Sequence, residues 1–411
     1  MIKNFFKNFL LALFSVIITL YLAEIILVII TPSAEKNLTN VNGIRVKNAK
    51  KLNLKFDLRA PNRAFKEMNE KVENLSINYR FVPAAYNLET VKEARKKNKV
   101  IPFRGPINMP TLTCAEDLDY KISKNDKFGF KNPNEVYKKP IDLIILGDSF
   151  AEGWCYNEKD DVAGLLREKN INSLNFGIAG AGPILSLAVM REYVKNFNPK
   201  YLLFFYCEAN DLMDLNIEKN NYLLKKYLSN NFSQNLLQNT NQKKIFLENI
   251  DKEIKKMFLS KKEESIYIKN KKEIFYDRLR DSLELSRTKN KIKSLILYGD
   301  EKENQELFFK IIREMNNFSN NNNIEFIFIY LPVWERYFAK FSKYNKYISK
   351  KEYILNKIEG MNIKFLDIDK EFLKEEALEN LFPLKYYGHY NRLGYKKVAD
   401  SILLNLKKRI N

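Results

Sequence analysis

The sequence predicts an α/β fold in which a five-stranded parallel sheet is covered by helices on both faces. Three observations predict it. Short apolar runs alternate with helix-patterned segments from residue 141 to residue 408, and alternation with long crossovers makes a parallel sheet. The runs are continuously apolar, as strands buried on both faces are. Polar and glycine residues gather just after the carboxyl ends of those runs, where parallel sheets collect functional groups.

The first strand spans 141–146, Ile-Asp-Leu-Ile-Ile-Leu, and stops at Gly147. Residues 161–169 follow as a helix with Val162, Leu165 and Leu166 on one side. The second strand, 173–176, ends in a turn from Gly177 to Gly182. Pro183 opens a helix reaching Phe197, since a proline in the first turn loses an N–H that would have no partner there. The aromatic third strand spans 201–206. Residues 212–322 break the rhythm: they are helical in pattern (Leu223, Leu224, Tyr227, Leu228; Leu307, Phe308, Ile311, Ile312) and rich in Lys and Asn. They predict a helical insertion. The fourth and fifth strands fall at 324–330 and 362–366, and a closing helix at 392–408.

Ahead of this domain (141–411) the chain divides by composition into an anchor (1–32), a stalk (33–99) and an irregular or β-rich pre-domain (100–140). Phe9 to Ile30 is apolar except for Ser15, Thr19 and Glu24. Its 22 residues give roughly 33 Å of helix at about 1.5 Å each, enough for a hydrocarbon core of about 30 Å. A cleaved signal has a shorter apolar region and a small-residue cleavage site, so a single-pass, uncleaved transmembrane helix is expected. Lys3 and Lys7 favour an inside N-terminus and an extracytoplasmic body. Glu24 is costly in the span unless it lies near the interface.

Basic residues outnumber acidic ones, 70 to 50, but they are scattered. That implies a solvated surface drawn to anionic lipid or acidic polysaccharide, and no motif supports nucleic-acid binding. One histidine and three dispersed cysteines form no recognisable metal-ligand set. The glycines at 177, 180 and 182 reverse the dinucleotide-loop order. No cofactor is expected.

His389 is the only histidine of the 411 residues, and it stands beyond the fifth strand at the start of the closing helix. Ser149 follows Gly147-Asp148 at the end of the first. A serine hydroxyl needs a base to become a nucleophile, and His389 is the one imidazole able to serve. The oxyanion then needs preset donors: the N–H of Ser149, a glycine N–H of the second loop, and the amide of Asn210 after the third strand.

Four such elements at successive strand ends resemble the SGNH hydrolase superfamily, the GDSL esterases and lipases. Gly147-Asp148-Ser149-Phe150 is similar to its first block. Asn175-Phe176-Gly177-Ile178-Ala179-Gly180 is similar to the second, and the resemblance assigns Gly180 an oxyanion N–H. Glu208-Ala209-Asn210-Asp211 resembles the third and gives Asn210 the amide role. His389 falls at the histidine of the last block. The resemblance implies a flavodoxin-like three-layer α/β/α fold and a serine esterase or O-acyltransferase working through an acyl-serine.

Two positions depart from the family. Tyr386 stands where the family has its orienting Asp, leaving Asp367, Asp369, a backbone carbonyl or a bare dyad as alternatives. Glu208 replaces the first Gly of the third block. Asp126-Lys127-Phe128-Gly129-Phe130-Lys131-Asn132 ahead of the core is similar to membrane-anchored bacterial members, distantly those like alginate O-acetyltransferases. That implies an acylated carbohydrate or other small ester as substrate, acetyl groups of surface polysaccharide, and polysaccharide-synthesis partners. The alternative is an inactive glycan-binding or assembly protein on the same fold. Cys114 and Cys155 are candidates for a bridge in an oxidising compartment, and Cys207 for a buried free thiol.

Overall fold

The computed structural model describes residues 2–30, 41–78, 88–229, 232–260, 271–286, 288–289, 301–339 and 348–410. In chain order the elements are α1 (Ile2–Ile30), α2 (Val41–Lys51), α3 (Pro61–Asn69), β1 (Ser76–Ile77), α4 (Glu89–Lys96), β2 (Pro110–Leu112) and β3 (Ile122–Lys124). The sheet domain adds β4 (Leu143–Gly147), α5 (Ser149–Glu152), α6 (Val162–Arg167), β5 (Ser173–Asn175), α7 (Pro183–Tyr193), β6 (Tyr201–Cys207) and α8 (Asp211–Glu218). After these come α9 (Thr240–Leu259), α10 (Lys271–Leu283), α11 (Glu301–Asn321), β7 (Glu325–Leu331), α12 (Trp334–Phe338), α13 (Lys351–Gly360), β8 (Lys364–Asp367), α14 (Ile368–Phe372) and α15 (Arg392–Ile410).

The main sheet is five-stranded and wholly parallel, in the order β5-β4-β6-β7-β8. This is the doubly-wound order whose ligand crevice opens where the winding reverses, between β4 and β6. Successive residues of each strand feed opposite cores. Ile144, Leu146, Leu202, Phe204 and Tyr206 join the layer with α7 and α11. Leu143, Ile145, Leu203, Phe205 and Cys207 join the one with α6 and α15. Each such side chain, removed from water, contributes about 1.5–3 kcal/mol, which is why these runs carry no polar face. The expected α/β/α architecture is what the chain forms.

The described parts of 212–322 carry α8, α9, α10 and α11, with turns and irregular backbone between α8 and α9, and α11 packs on the sheet through Phe308, Ile311, Ile312 and Met315. The stretch 33–99, which composition marks as a stalk, folds onto the body where it is described. Ala64, Phe65 and Leu75 lie in the main core, and Val46, Ala49 and Phe56 pack on Leu384. Its apolar residues are few, but Val46 and Ala49 of α2, Ala64 and Phe65 of α3, and Phe56 and Leu75 of the connecting backbone are each buried where average polarity suggested solvent. A small sheet pairs β1, from the 33–99 stretch, with β2, and β2 with β3, both of the pre-domain.

Helix α1 contains an apolar span, Phe5–Leu27, long enough to cross a bilayer; a signal sequence has the same properties.

Candidate active site

β4 ends on Gly147, whose φ of +142° would strain an L side chain, and an added Cβ would lie 2.7 Å from the Phe205 carbonyl. Glycine therefore lets the strand turn straight into α5, with Ser149 as its first residue. The buried Asp148 carboxylate fixes the turn by accepting the Phe150 N–H at 2.8 Å. Ser149 is left half-buried at the strand end.

His389 reaches it from the other end of the chain. Its Nε2 lies 2.7 Å from Ser149 Oγ, and the ring packs 4.6 Å from Phe150 and 6.3 Å from Trp154 between centroids. The loop before α15 is pinned just after the histidine. Tyr390 donates its hydroxyl to the Pro332 carbonyl, and the Asn391 amide donates to the carbonyls of Asn380 and Phe382.

The carboxylate that meets the ring is that of Glu116, which the sequence did not reveal. Its Oε2 accepts from both the backbone N–H of His389 and the ring at Nδ1, each at 3.0 Å. A carboxylate on Nδ1 fixes the tautomer that leaves Nε2 free to take a proton from serine. Arg45, from the segment behind α1, donates to the Tyr387 carbonyl at 2.9 Å and lies 3.6 Å from Glu116 Oε1. Burial pushes the Glu116 carboxyl up, but His389 and Arg45 more than reverse that and bring it down to about 2. Burial pulls the imidazole down, and the charge and hydrogen bond of Glu116 outweigh it, so the net shift is upward.

The other candidate acids are engaged elsewhere. Asp367 and Asp369 pair with Lys351 at 2.8 and 2.7 Å, and Asp369 also accepts from Tyr337. Tyr386 packs edge-on against Trp334, ring centroids 5.2 Å apart, outside the Ser–His–Glu relay. Tyr386→Phe is expected to leave most turnover intact, as a kcat and KM comparison would show.

Cys114 and Cys155 form a disulfide, with Cα atoms 4.6 Å apart. Cys207 is free and buried. The bridge ties the segment bearing Glu116 to the turn after α5, so Glu116 and Ser149 share one covalent clamp. Alkylation of the native protein before reduction is expected to label neither Cys114 nor Cys155. Reduction should lower kcat more than it raises KM, because it frees the acid and not a binding surface.

The second loop lies against the nucleophile helix: a Cβ on Gly177 would come within 2.4 Å of the Glu152 N. Asn175 donates to the Ala151 carbonyl at 2.8 Å and accepts the Gly177 N–H. Asn132 from the pre-domain exchanges hydrogen bonds with the Asn175 backbone. Asp126 shapes that pre-domain turn by accepting the N–H groups of Phe128 and Phe130.

Gly180, at φ +80°, is exposed at the tip of the second loop. Its neighbour Ala179 donates its N–H to Glu152 Oε2 at 2.6 Å, and Glu152 is in turn ion-paired with Arg104. Both side chains are only 1% exposed. Removing one partner of a buried pair typically costs about 3–5 kcal/mol, so Arg104→Ala should lower stability on that scale in denaturant unfolding.

Asn210 lies at the β6 end of the same crevice. Its Nδ2 donates to Asp148 at 2.9 Å and to Asp214 at 2.8 Å, so both amide hydrogens are committed within the protein. Burial and the Asp148 charge raise Asp214 to about 7. Glu208 is a structural brace: its buried carboxylate accepts from Tyr330, the Val333 N–H and Arg336. It joins the end of β6 to the turn after β7, filling a position that Gly would leave empty.

The fold and site together have the form of a serine hydrolase on a doubly-wound sheet. Among solved structures the chain is similar to a GDSL-like lipase from Bacteroides thetaiotaomicron (13% identity, 66% of this chain and 90% of that one, TM-score 0.35). It is also similar to a lipase/acylhydrolase from Enterococcus faecalis (11%, 66% and 97%, TM-score 0.34). A third is a catalytic mutant of an acetylxylan esterase from Geobacillus stearothermophilus (13%, 64% and 95%, TM-score 0.33). No family model matches the chain, and no curated protein does.

Proposed function

We propose that this chain is a serine esterase or O-acyltransferase that acts through an acyl-serine intermediate. The supporting observation is the continuous relay from Ser149 Oγ through both ring nitrogens of His389 to Glu116. His389 takes the Ser149 proton as Oγ attacks the ester carbonyl, while Glu116 stabilises the imidazolium that forms. The N–H groups of Ser149 and Gly180 receive the oxyanion, joined by the Asn210 amide once it releases a carboxylate. The imidazolium then protonates the leaving alkoxide. Water, or an acceptor hydroxyl activated by the same imidazole, attacks the acyl-serine and restores Ser149.

The substrate class proposed is an acyl ester of carbohydrate, with acetyl groups of surface polysaccharide first. The half-buried Trp154, whose ring centroid lies 6.3 Å from that of His389, is a supporting feature, since aromatic surfaces suit sugar rings. The body is proposed to stand outside the cytoplasmic membrane on α1, which a Cys114–Cys155 bridge favours because disulfides persist in oxidising compartments.

Incubating the full chain with an activated acetyl ester, with and without oligosaccharide, tests the reading. Free acetate in both arms supports the esterase, and acetyl-sugar in excess of acetate supports the transferase. No turnover in either arm, with a folded protein, overturns the catalytic reading in favour of a glycan-binding or assembly role.

A further inference from the structure

The helix α10 belongs to the insertion, yet it meets α1. The Tyr21 hydroxyl donates to the Leu283 carbonyl at 3.0 Å. Glu24 is buried, and its carboxylate accepts both the N–H and the hydroxyl of Thr288 at 2.8 Å. Two polar groups of the apolar helix are thus spent on holding one turn of the insertion.

Their depth is informative. The span ends at Leu27, so at about 1.5 Å per residue Glu24 lies roughly 4.5 Å and Tyr21 roughly 9 Å inside its outer end. That is the zone, about 5–10 Å below the headgroup boundary, in which interfacial amphipathic helices bury their apolar faces.

The face is present. Tyr276, Leu279 and Leu283 are spaced three and four apart and so share one side of α10. They are 54%, 47% and 61% exposed. Three large apolar groups on one stripe, beside a bilayer-length helix, have no reason to face water. Lys272 and Arg280, four residues to either side of Tyr276, are exposed on the same side of the helix, where long basic side chains reach up to headgroups while their stems stay in the apolar layer.

We propose that α10 is an interfacial membrane helix. Its Tyr276–Leu279–Leu283 face would lie in the outer leaflet against α1, and its basic residues would meet anionic headgroups. The assignment rests on the proposal that α1 spans the bilayer. The catalytic body then has two attachments to one membrane, α1 and α10. A protein held at two points keeps a fixed height and tilt, which a single flexible tether does not give. Glu24 is also accounted for as the cap of the docked turn near the interface.

The experiment uses the full chain in nanodiscs of phosphatidylcholine and phosphatidylglycerol. The native cysteines are bridged or buried, so an environment-sensitive fluorophore can be placed singly through Tyr276→Cys, Leu279→Cys, Leu283→Cys, Phe14→Cys and Leu404→Cys. Expected are blue-shifted emission and loss of fluorescence to a lipid-borne quencher at Phe14, Tyr276, Leu279 and Leu283. Leu404, exposed on α15, should respond only to aqueous iodide. Lipid quenching at Phe14 with iodide quenching at the three α10 positions would overturn the α10 assignment and leave the anchor standing. Iodide quenching at Phe14 would remove the spanning helix and the docking with it. A blue shift at the α10 positions without lipid quenching would mean that protein, such as a second copy, covers the face, and that also overturns the proposal.

Discussion

Ser149→Ala and His389→Ala are each expected to lower kcat by a factor on the order of 10⁴ to 10⁶, the range in which serine-hydrolase triads fail when nucleophile or base is removed. The two losses should not multiply in the double variant, because both residues act in one step. Neither change should unfold the domain. Ser149 is half-buried at a turn held by Asp148 and Gly147, and the loop around His389 is secured by Tyr390 and Asn391. An activated ester reports the rates, and trapping of an acylated peptide containing Ser149 reports the intermediate. Rates near wild type in either variant, with matched unfolding curves, would remove the mechanism.

How much of this was readable in advance follows from where each contact is encoded. The sheet was legible because both faces of β4, β6 and β7 are buried, which forces unbroken apolar runs, and because Gly147 must follow the first of them. Ser149 and His389 were legible because one chain offers one imidazole. Glu116 was not. It sits in an irregular stretch between β2 and β3, where no periodicity constrains the backbone, and it is 273 residues from its partner. A signal existed nonetheless: Cys114 stands two residues before Glu116, and pairing it with Cys155 brings that carboxylate to the nucleophile turn. Arg45 was harder still, since a basic residue behind an apolar helix reads as membrane flank. The role of Glu208 depends on Arg336, which comes into reach only after β7 pairs with β6. The stretch behind the anchor misled for the opposite reason: its composition is that of a stalk, while its few apolar residues are buried by contact with the main core and with Leu384.

The acid of the relay gives the second large effect. Glu116→Gln keeps a side-chain oxygen that can accept from the imidazole, so the ring is still held, but it removes the charge that stabilises imidazolium. A loss in kcat of about 10² to 10⁴ is expected by analogy with neutralised triad acids, with little change in KM. The pH profile carries the signature. His389 must be neutral to act as base, and Glu116 raises its pKa, so kcat/KM should climb as pH passes through that raised value. Without the Glu116 charge the imidazole loses its proton more readily, and the acid limb should move to lower pH even as the plateau drops. Stability runs the other way. The Glu116 carboxyl, lowered from 4.5 to about 2, contributes stability that is present above its ordinary value and lost as pH falls through the lowered one. The raised His389 contributes stability that is complete below its ordinary 6.5 and lost as pH rises through its folded value. The pair therefore stabilises most between those two ordinary values. Glu116→Gln should lower the melting temperature more at about pH 5.5 than at about pH 9. A structural carboxylate unrelated to His389 would change stability without moving the acid limb. An unmoved limb with near-normal kcat would remove Glu116 from the relay.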